Sequence, residues 1–152
     1  MFHIILYEPE IPPNTGNIIR LCANTGNQLH LIHPLGFSID NKQLRRAGLD
    51  YREFTNIREY ANLRTCVEQL QASRLFAVST KGQSTYSGIN YKYGDAFLFG
   101  PETRGLPDKV LESFDSKDIL RIPMQPESRS LNLANAASII VYEAWRQHNF
   151  SL

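Results

Sequence analysis

The chain contains few cysteines and no cluster of metal-ligating residues. Its two cysteines, Cys22 and Cys66, are too few and too far apart for a disulfide framework or a cysteine-based metal site. The four histidines, at positions 3, 30, 33 and 148, are scattered, so the sequence predicts no metal. Cys22 lies on the apolar side of a predicted helix, where we expect a buried thiol.

Long apolar runs and excess charge are also missing. No run approaches the roughly 20 residues that a membrane-spanning helix needs. Residues 1–6 are too short for the apolar core of a signal peptide and lead directly to Glu8. We therefore expect a cytoplasmic protein with no membrane partner. Because the net charge is only +1, any contact with nucleic acid must come from local basic residues.

Several common ligand-binding motifs are absent as well. No G-x-G-x-x-G follows the first predicted strand, which disfavours a dinucleotide site, and no G-x-x-x-x-G-K-[ST] phosphate loop occurs. The G-x-S-x-G turn that carries a nucleophilic serine is missing too. What remains is an ordinary composition, 42% hydrophobic and 20% charged over 152 residues, which predicts one domain, 1–152, with a sizeable core.

The hydrophobic pattern predicts an α/β fold. Predicted strands alternate with predicted helices, which is typical of a mostly parallel sheet with helices on both faces. The first helix is expected to begin at Asn14 or Thr15 as its cap and to end at Gly26. The predicted strands are 3–7, 29–32, 74–79, 96–99 and 119–122, and the other predicted helices are 42–47, 59–71 (inner face Leu63, Val67 and Leu70), 107–114 and 133–147.

The last helix has the most regular pattern. Seven apolar residues recur on one face, three of them alanines: Leu133, Ala136, Ala137, Ile140, Val141, Ala144 and Trp145. Small residues allow another helix to approach closely. Two interpretations stay open, an ordinary core face and a subunit interface.

Three segments place polar residues where predicted strands end: 14–20, 98–105 and 122–133. Ligands of open α/β sheets bind at the carboxyl ends of strands, where Glu102 and Arg104 would lie. Each segment also has a simpler interpretation. The second could be a plain turn with a solvated ion pair, Asn132 could be a helix cap, and Arg20 could be a surface residue.

The sequence contains a local basic patch between residues 42 and 52. It consists of Lys42, Arg45, Arg46 and Arg52, diluted by nearby acidic residues. Such clusters are usually solvated faces. The patch alone is therefore weak evidence for RNA binding.

Together, the three segments resemble the motifs of the SPOUT superfamily of RNA methyltransferases. The resemblance is closer still to its TrmL (YibK-like) branch, which methylates the ribose 2′-oxygen at the tRNA wobble position. Residues 7–12, 44–51 and 141–146 also resemble that branch, so the similarity spans almost the whole chain.

The resemblance implies a fold and a cofactor that the pattern alone does not show. It implies a deep trefoil knot in the C-terminal third, a rare feature of proteins, and a homodimer with active sites at the subunit boundary. It also implies that S-adenosylmethionine binds, bent, in the knot. The expected contacts are Val78, Ser79, Thr80, Gly100, Gly105, Ile122, Met124, Ser130 and Leu131.

The same resemblance assigns catalytic residues. Arg20 would be the essential group, supported by Asn14, Glu102, Ser130 and Asn132. Arginine is effectively always protonated, so it can hold a hydroxyl or stabilise an alkoxide but does not readily accept a proton. The proton acceptor stays open between Glu102, water and an RNA phosphate.

The expected substrate is tRNA, methylated at the ribose of C34 or U34. The residues expected to contact RNA are Arg45, Arg46, Arg129 and Tyr142. Two alternatives remain: the same chemistry at another tRNA position or on ribosomal RNA, and a protein that binds RNA or S-adenosylmethionine without catalysis. The presence of all five expected catalytic residues disfavours the last.

Overall fold

The computed structural model describes residues 1–38 and 57–151. The predicted helix 42–47 and the basic patch lie outside these residues. Within them, seven strands form one sheet in the order β3-β2-β1-β6-β4-β7-β5, and all six neighbouring pairs are parallel. The strands are β1 (His3–Tyr7), β2 (Gln28–Ile32), β3 (Ile57–Tyr60), β4 (Arg74–Val78), β5 (Ser84–Thr85), β6 (Asp95–Phe99) and β7 (Ile119–Arg121).

Helices cover both faces of this sheet. They are α1 (Pro12–Thr25), α2 (Leu63–Gln69), α3 (Asp108–Leu111) and α4 (Leu133–Arg146). Each face of the sheet has its own hydrophobic core, and successive residues of β1 point into different cores. Ile4 and Leu6 pack with α1 and α4, whereas Ile5 packs with α2 and α3. Side chains of a strand alternate between faces, so the predicted α/β fold is confirmed. In the described part of the chain, no helix is long and apolar enough to cross a membrane.

The prediction for the start of α1 was wrong. The helix begins at Pro12, with Ile11 as its N-cap and no side-chain cap, so Asn14 and Thr15 lie buried inside its first turns. Two prolines suit the first helical positions because the amide hydrogens that they lack would have no partner there. The helix ends as predicted, at Gly26 in the left-handed conformation.

The predicted helix 59–71 is shorter than expected. Its first residues belong instead to β3, and α2 begins after Asn62, whose side chain accepts a hydrogen bond from the Thr65 amide. With this start Cys66 is fully buried, whereas Val67, predicted to face inward, is exposed. The prediction also omitted β5, which lies in the predicted loop 80–94.

The apolar face of α4 forms part of the core. Leu133, Ala137, Ile140, Val141 and Ala144 are buried against α1 and the sheet. This observation favours the core interpretation for most of the face. The prediction of a buried thiol is also confirmed, since Cys22 is 2% exposed and burial raises its pKa to about 12.

A buried histidine links the first three strands. One ring nitrogen of His30 (Nε2) lies 3.1 Å from His3 Nδ1, and the other (Nδ1) lies 3.1 Å from the Tyr60 hydroxyl. Burial, together with the charges of His3 and Arg58, lowers the pKa of His30 from 6.5 to about 3. The folded protein therefore holds His30 neutral over most of the acid range.

The lowered pKa of His30 predicts that the protein loses stability in acid. Between pH 6.5 and about 3, the unfolded chain binds a proton at His30 that the folded chain does not. The free energy of unfolding should therefore fall as the pH falls, by at most about 1.4 kcal/mol per pH unit from this group. Urea unfolding of the wild type and of His30→Leu at pH 7, 6 and 5 measures the difference. Equal slopes in the two proteins would contradict the prediction.

Candidate active site

A cavity of about 480 Å³ lies at the carboxyl ends of β4, β6 and β7. Its wall contains all nine residues predicted to contact the cofactor: Val78, Ser79, Thr80, Gly100, Gly105, Ile122, Met124, Ser130 and Leu131. Its size falls within the range usual for small-molecule sites. Segments distant in sequence meet here because the ends of parallel strands share one edge of the sheet.

One wall is a loop that folds back on itself at Gly100. A β-carbon at Gly100 would lie 2.3 Å from the Leu106 amide nitrogen and 2.4 Å from the Gly105 carbonyl carbon. Gly105 has φ of 67°, a conformation that favours glycine, and its amide donates to the Pro101 carbonyl. The loop therefore requires glycine at position 100 for close approach and favours it at position 105 for backbone conformation.

Three of the predicted catalytic residues form a hydrogen-bonded chain. The Asn132 amide oxygen caps α4 by accepting from Ala134 N at 2.9 Å, which leaves its amide nitrogen to donate to Asn14 Oδ1 at 2.8 Å. Asn14 in turn donates through Nδ2 to Glu102 Oε1 at 3.1 Å. These hydrogen bonds join residues from all three polar segments. Because the Asn132 side chain caps α4, the orientations of the Asn132 and Asn14 side-chain amides are fixed.

The Glu102 carboxylate holds the start of α1. Besides Asn14 it accepts the amides of Glu10 at 2.8 Å and Ile11 at 3.1 Å. A carboxylate is favourable at a helix N-terminus, and here it accepts the backbone amides of the two residues that precede Pro12. With three N–H donors on its two oxygens, Glu102 is suited to anchoring the helix.

Arg20 lies outside the cavity wall. It is exposed on α1, six residues after Asn14, and six residues correspond to about one and two-thirds helical turns. Asn14 is buried against the cavity, so the two side chains project in different directions. Ser130, in contrast, lines the cavity itself.

Two of the four residues predicted to contact RNA lie in the described part of the chain, and both are exposed. Arg129 is exposed beside Ser130 at the cavity, and Tyr142 is 47% exposed on α4, with its ring 5.9 Å from that of Trp145. Arg45 and Arg46 lie outside the described residues.

Sequence reasoning missed part of the cavity wall. The additional lining residues are Ile11, Phe99, Pro101, Thr103, Arg104, Leu106, Leu133 and Ala136. Five of them belong to the polar segments, including Arg104, which the sequence had placed at this edge of the sheet. Ile11, Leu106 and Ala136 lie within three residues of a segment, so proximity to the segments was the available signal. Within residues 1–38 and 57–151, no group of three or more His, Cys, Asp or Glu side chains could hold a metal ion.

The fold and the cavity define a parallel α/β protein with a cavity between the loops that follow its strands. The model of the SpoU rRNA methylase family matches residues 1–142. The chain belongs to this family, which confirms the resemblance inferred from the three polar segments.

Close relatives share nearly the full length. The chain is 56% identical over 151 residues to a protein of Methylovorus glucosotrophus, covering 99% of this chain and 98% of the relative. It is 58% identical over 147 residues to one of Escherichia coli K12, covering 97% and 94%. Both are named tRNA (cytidine(34)-2′-O)-methyltransferase.

Solved structures share the fold. One, described as giving insights into 2-OH methylation of C/U34 on tRNA, is 43% identical with a TM-score of 0.90, covering 99% of this chain and 98% of that one. Another, an AdoMet-bound rRNA methyltransferase from Sinorhizobium meliloti, is 26% identical with a TM-score of 0.81, covering 95% and 56%.

Proposed function

We propose that this protein transfers a methyl group from S-adenosylmethionine to the ribose 2′-oxygen of the wobble nucleotide of tRNA, C34 or U34. The observation that carries the proposal is that all nine residues predicted to contact the cofactor line the same cavity. The relatives that are 51–58% identical to this chain are named for that reaction at cytidine 34.

The wall of the cavity fits this cofactor. Apolar side chains of Val78, Ile122 and Leu131 offer contacts for the adenine, while Ser79 and Ser130 offer hydroxyls. When bound, S-adenosylmethionine supplies an electrophilic methyl group on a positively charged sulfur. The main task of the protein is then to position the two reactants in line.

Arg20 is assigned to the ribose hydroxyl. Its guanidinium would hold this oxygen and stabilise the negative charge that develops as the proton leaves. Glu102 is a poor candidate for the proton acceptor because its oxygens already accept from Glu10, Ile11 and Asn14. We assign the proton to water or to an RNA phosphate.

A homodimer would bring Arg20 to a cavity. Arg20 is exposed outside the cavity wall of its own chain, so we propose that it acts at the cavity of a second copy, in the cytoplasm, where tRNA is modified. The exposed aromatic side chain of Phe150 offers an apolar contact for that copy.

The subunit assignment predicts complementation. Mixing Arg20→Ala with Gly100→Ala chains, each expected to be inactive alone, should restore part of the wild-type activity, because one site of the mixed dimer would be complete. Activity is measured after unfolding the two variants together and refolding them. Refolded mixtures with no more activity than either variant would contradict the assignment.

The basic patch predicts a salt-dependent affinity for tRNA. Arg45→Glu with Arg46→Glu should weaken tRNA binding at least about tenfold at low salt and reduce the salt dependence, since phosphate contacts release counterions. Filter binding at several salt concentrations measures both effects. Unchanged affinity at low salt would mean that the patch is only a solvated surface.

The competing substrate is ribosomal RNA, which the family name mentions. The proposal favours tRNA because the relatives named for tRNA are over half identical across nearly the whole chain. The single compact domain that we propose would recognise RNA with its own surface, which suits an exposed anticodon loop.

The proposal is tested by methyl transfer from tritiated S-adenosylmethionine. The substrates are an anticodon stem-loop, the same stem-loop with 2′-deoxyribose at position 34, and ribosomal RNA. We expect label only in the first. Label retained by the deoxyribose substrate, or found only in ribosomal RNA, would overturn the proposal.

A further inference from the structure

Two loops beside the cavity are joined by two carboxylates, each of which accepts hydrogen bonds from the other loop. Residues 8–11 follow β1, and residues 100–105 follow the neighbouring strand β6. Glu102 accepts the amides of Glu10 and Ile11, and Glu10 in return accepts the Thr103 amide at 3.0 Å and the Thr103 hydroxyl at 2.8 Å. We name this exchange between Glu10 and residues 102–103 the reciprocal clamp.

The Glu10 half of the clamp has the features of a strong contact. Hydrogen bonds from the side chain and the backbone of Thr103 lower the pKa of the Glu10 carboxyl, and the nearby Arg104 lowers it further. Hydrogen bonds from an amide to an ionised carboxylate are stronger than those between neutral groups. The Arg104 guanidinium adds ion pairs to Glu8 at 2.5 Å and Glu10 at 3.6 Å, but exposed pairs of this kind contribute little.

The clamp joins two parts of the site. The loop 100–105 forms a wall of the cavity, and the segment 8–11 leads into α1, which carries Asn14 and Arg20. Glu102 ties the loop to the start of the helix, and Glu10 ties that start back to the loop. A shift of either loop would therefore move the cofactor wall relative to the helix.

We infer that Glu10 is a positioning residue of the methyl-transfer site, which holds the loop 100–105 in the shape that binds the cofactor. The inference rests on the proposed function, because the cavity is taken to bind S-adenosylmethionine. The Glu10 side chain is 28% exposed and belongs to neither buried core. Its removal should therefore affect the cavity more than the stability of the fold.

Three variants separate this role from a general effect on folding. Glu10→Ala removes the acceptor, and Glu10→Gln keeps an acceptor oxygen without the charge. Glu8→Gln weakens the ion pair with Arg104 and leaves the hydrogen bonds between Glu10 and Thr103 in place. Calorimetry gives the Kd for S-adenosylmethionine, steady-state kinetics give KM for each substrate, and thermal unfolding gives Tm.

We expect Glu10→Ala to raise the Kd and KM for S-adenosylmethionine about tenfold, because the two hydrogen bonds it removes are exposed and only part of their free energy is passed on to cofactor binding. Its KM for tRNA should change less than about threefold, and its Tm should stay within a few degrees of the wild type. Glu10→Gln should restore most of the affinity, and Glu8→Gln should bind like the wild type.

If Glu10→Ala does not fold, Thr103→Val tests the same contact with a smaller change. Thr103→Val removes one donor to Glu10 and leaves the backbone amide in place, so it should raise the Kd about threefold, whereas Thr103→Ser should not. In the double variant the two effects should be less than additive, because both remove the same contact.

The outcomes separate the inference from the proposed function. Wild-type protein that binds no S-adenosylmethionine would overturn the proposed function, and the inference with it. Wild-type protein that binds, together with Glu10→Ala and Thr103→Val variants of unchanged affinity, would overturn the inference alone. A Glu10→Gln variant as weak as Glu10→Ala would also overturn it, because the acceptor oxygen would then have no part in holding the loop.

Discussion

Replacing Arg20 with alanine is expected to abolish turnover, lowering kcat by about 10²–10³-fold or more, while the affinity for S-adenosylmethionine stays within about tenfold. An interaction made mainly in the transition state affects kcat more than ground-state binding. Arg20 is exposed and outside the cavity wall, so its truncation leaves that wall unchanged. Single-turnover methyl transfer and calorimetry measure the two quantities.

Two further substitutions test whether the effect is specific to the guanidinium of Arg20. Arg20→Lys keeps the charge but not the planar pair of donors, and should recover only a small part of the activity. Arg64→Ala removes an equally long arginine that is 87% exposed on α2, and should be fully active. Turnover near the wild type in Arg20→Ala would show that the residue has been assigned wrongly.

Replacing Gly100 with alanine should have the second large effect, a loss of affinity for S-adenosylmethionine of about 100-fold or more. The added β-carbon would lie 2.3 Å from the Leu106 amide nitrogen and 2.4 Å from the Gly105 carbonyl carbon. These are backbone atoms, so the loop itself must move, and interiors packed this closely do not absorb an extra carbon without strain. Calorimetry on the folded variant measures the loss.

The matched control is Gly88→Ala. A β-carbon at this exposed position meets nothing within 4 Å, so cofactor affinity and stability should both be unchanged. A Gly100→Ala variant that binds like Gly88→Ala would show that the loop adapts, and that its observed shape is not required for binding.

The predictions from sequence succeeded where local patterns carry the information. The central strands β1, β4 and β6 are strongly apolar, and they were predicted nearly to the residue. The strands that were missed, β3 and β5, lie at the two edges of the sheet. Edge strands are less buried, so their hydrophobic pattern is weaker.

Long-range contacts explain what the sequence could not reveal about the site. The polar segments and the family resemblance identified most of the cavity wall. The clamp joins Glu10 to Thr103, which are 93 positions apart, and no local pattern encodes such a pair. The role of Glu102 as an anchor likewise depends on where the start of α1 lies. Both features emerge only once neighbouring strands bring the loops together.

The most direct test of the account is to locate the methyl group itself. Transfer RNA that lacks the wobble modification is incubated with the protein and S-adenosylmethionine, digested with nuclease and analysed by mass spectrometry. The account predicts one added methyl group, on the ribose of nucleotide 34. Methyl groups only at another nucleotide, or on a base, would contradict it.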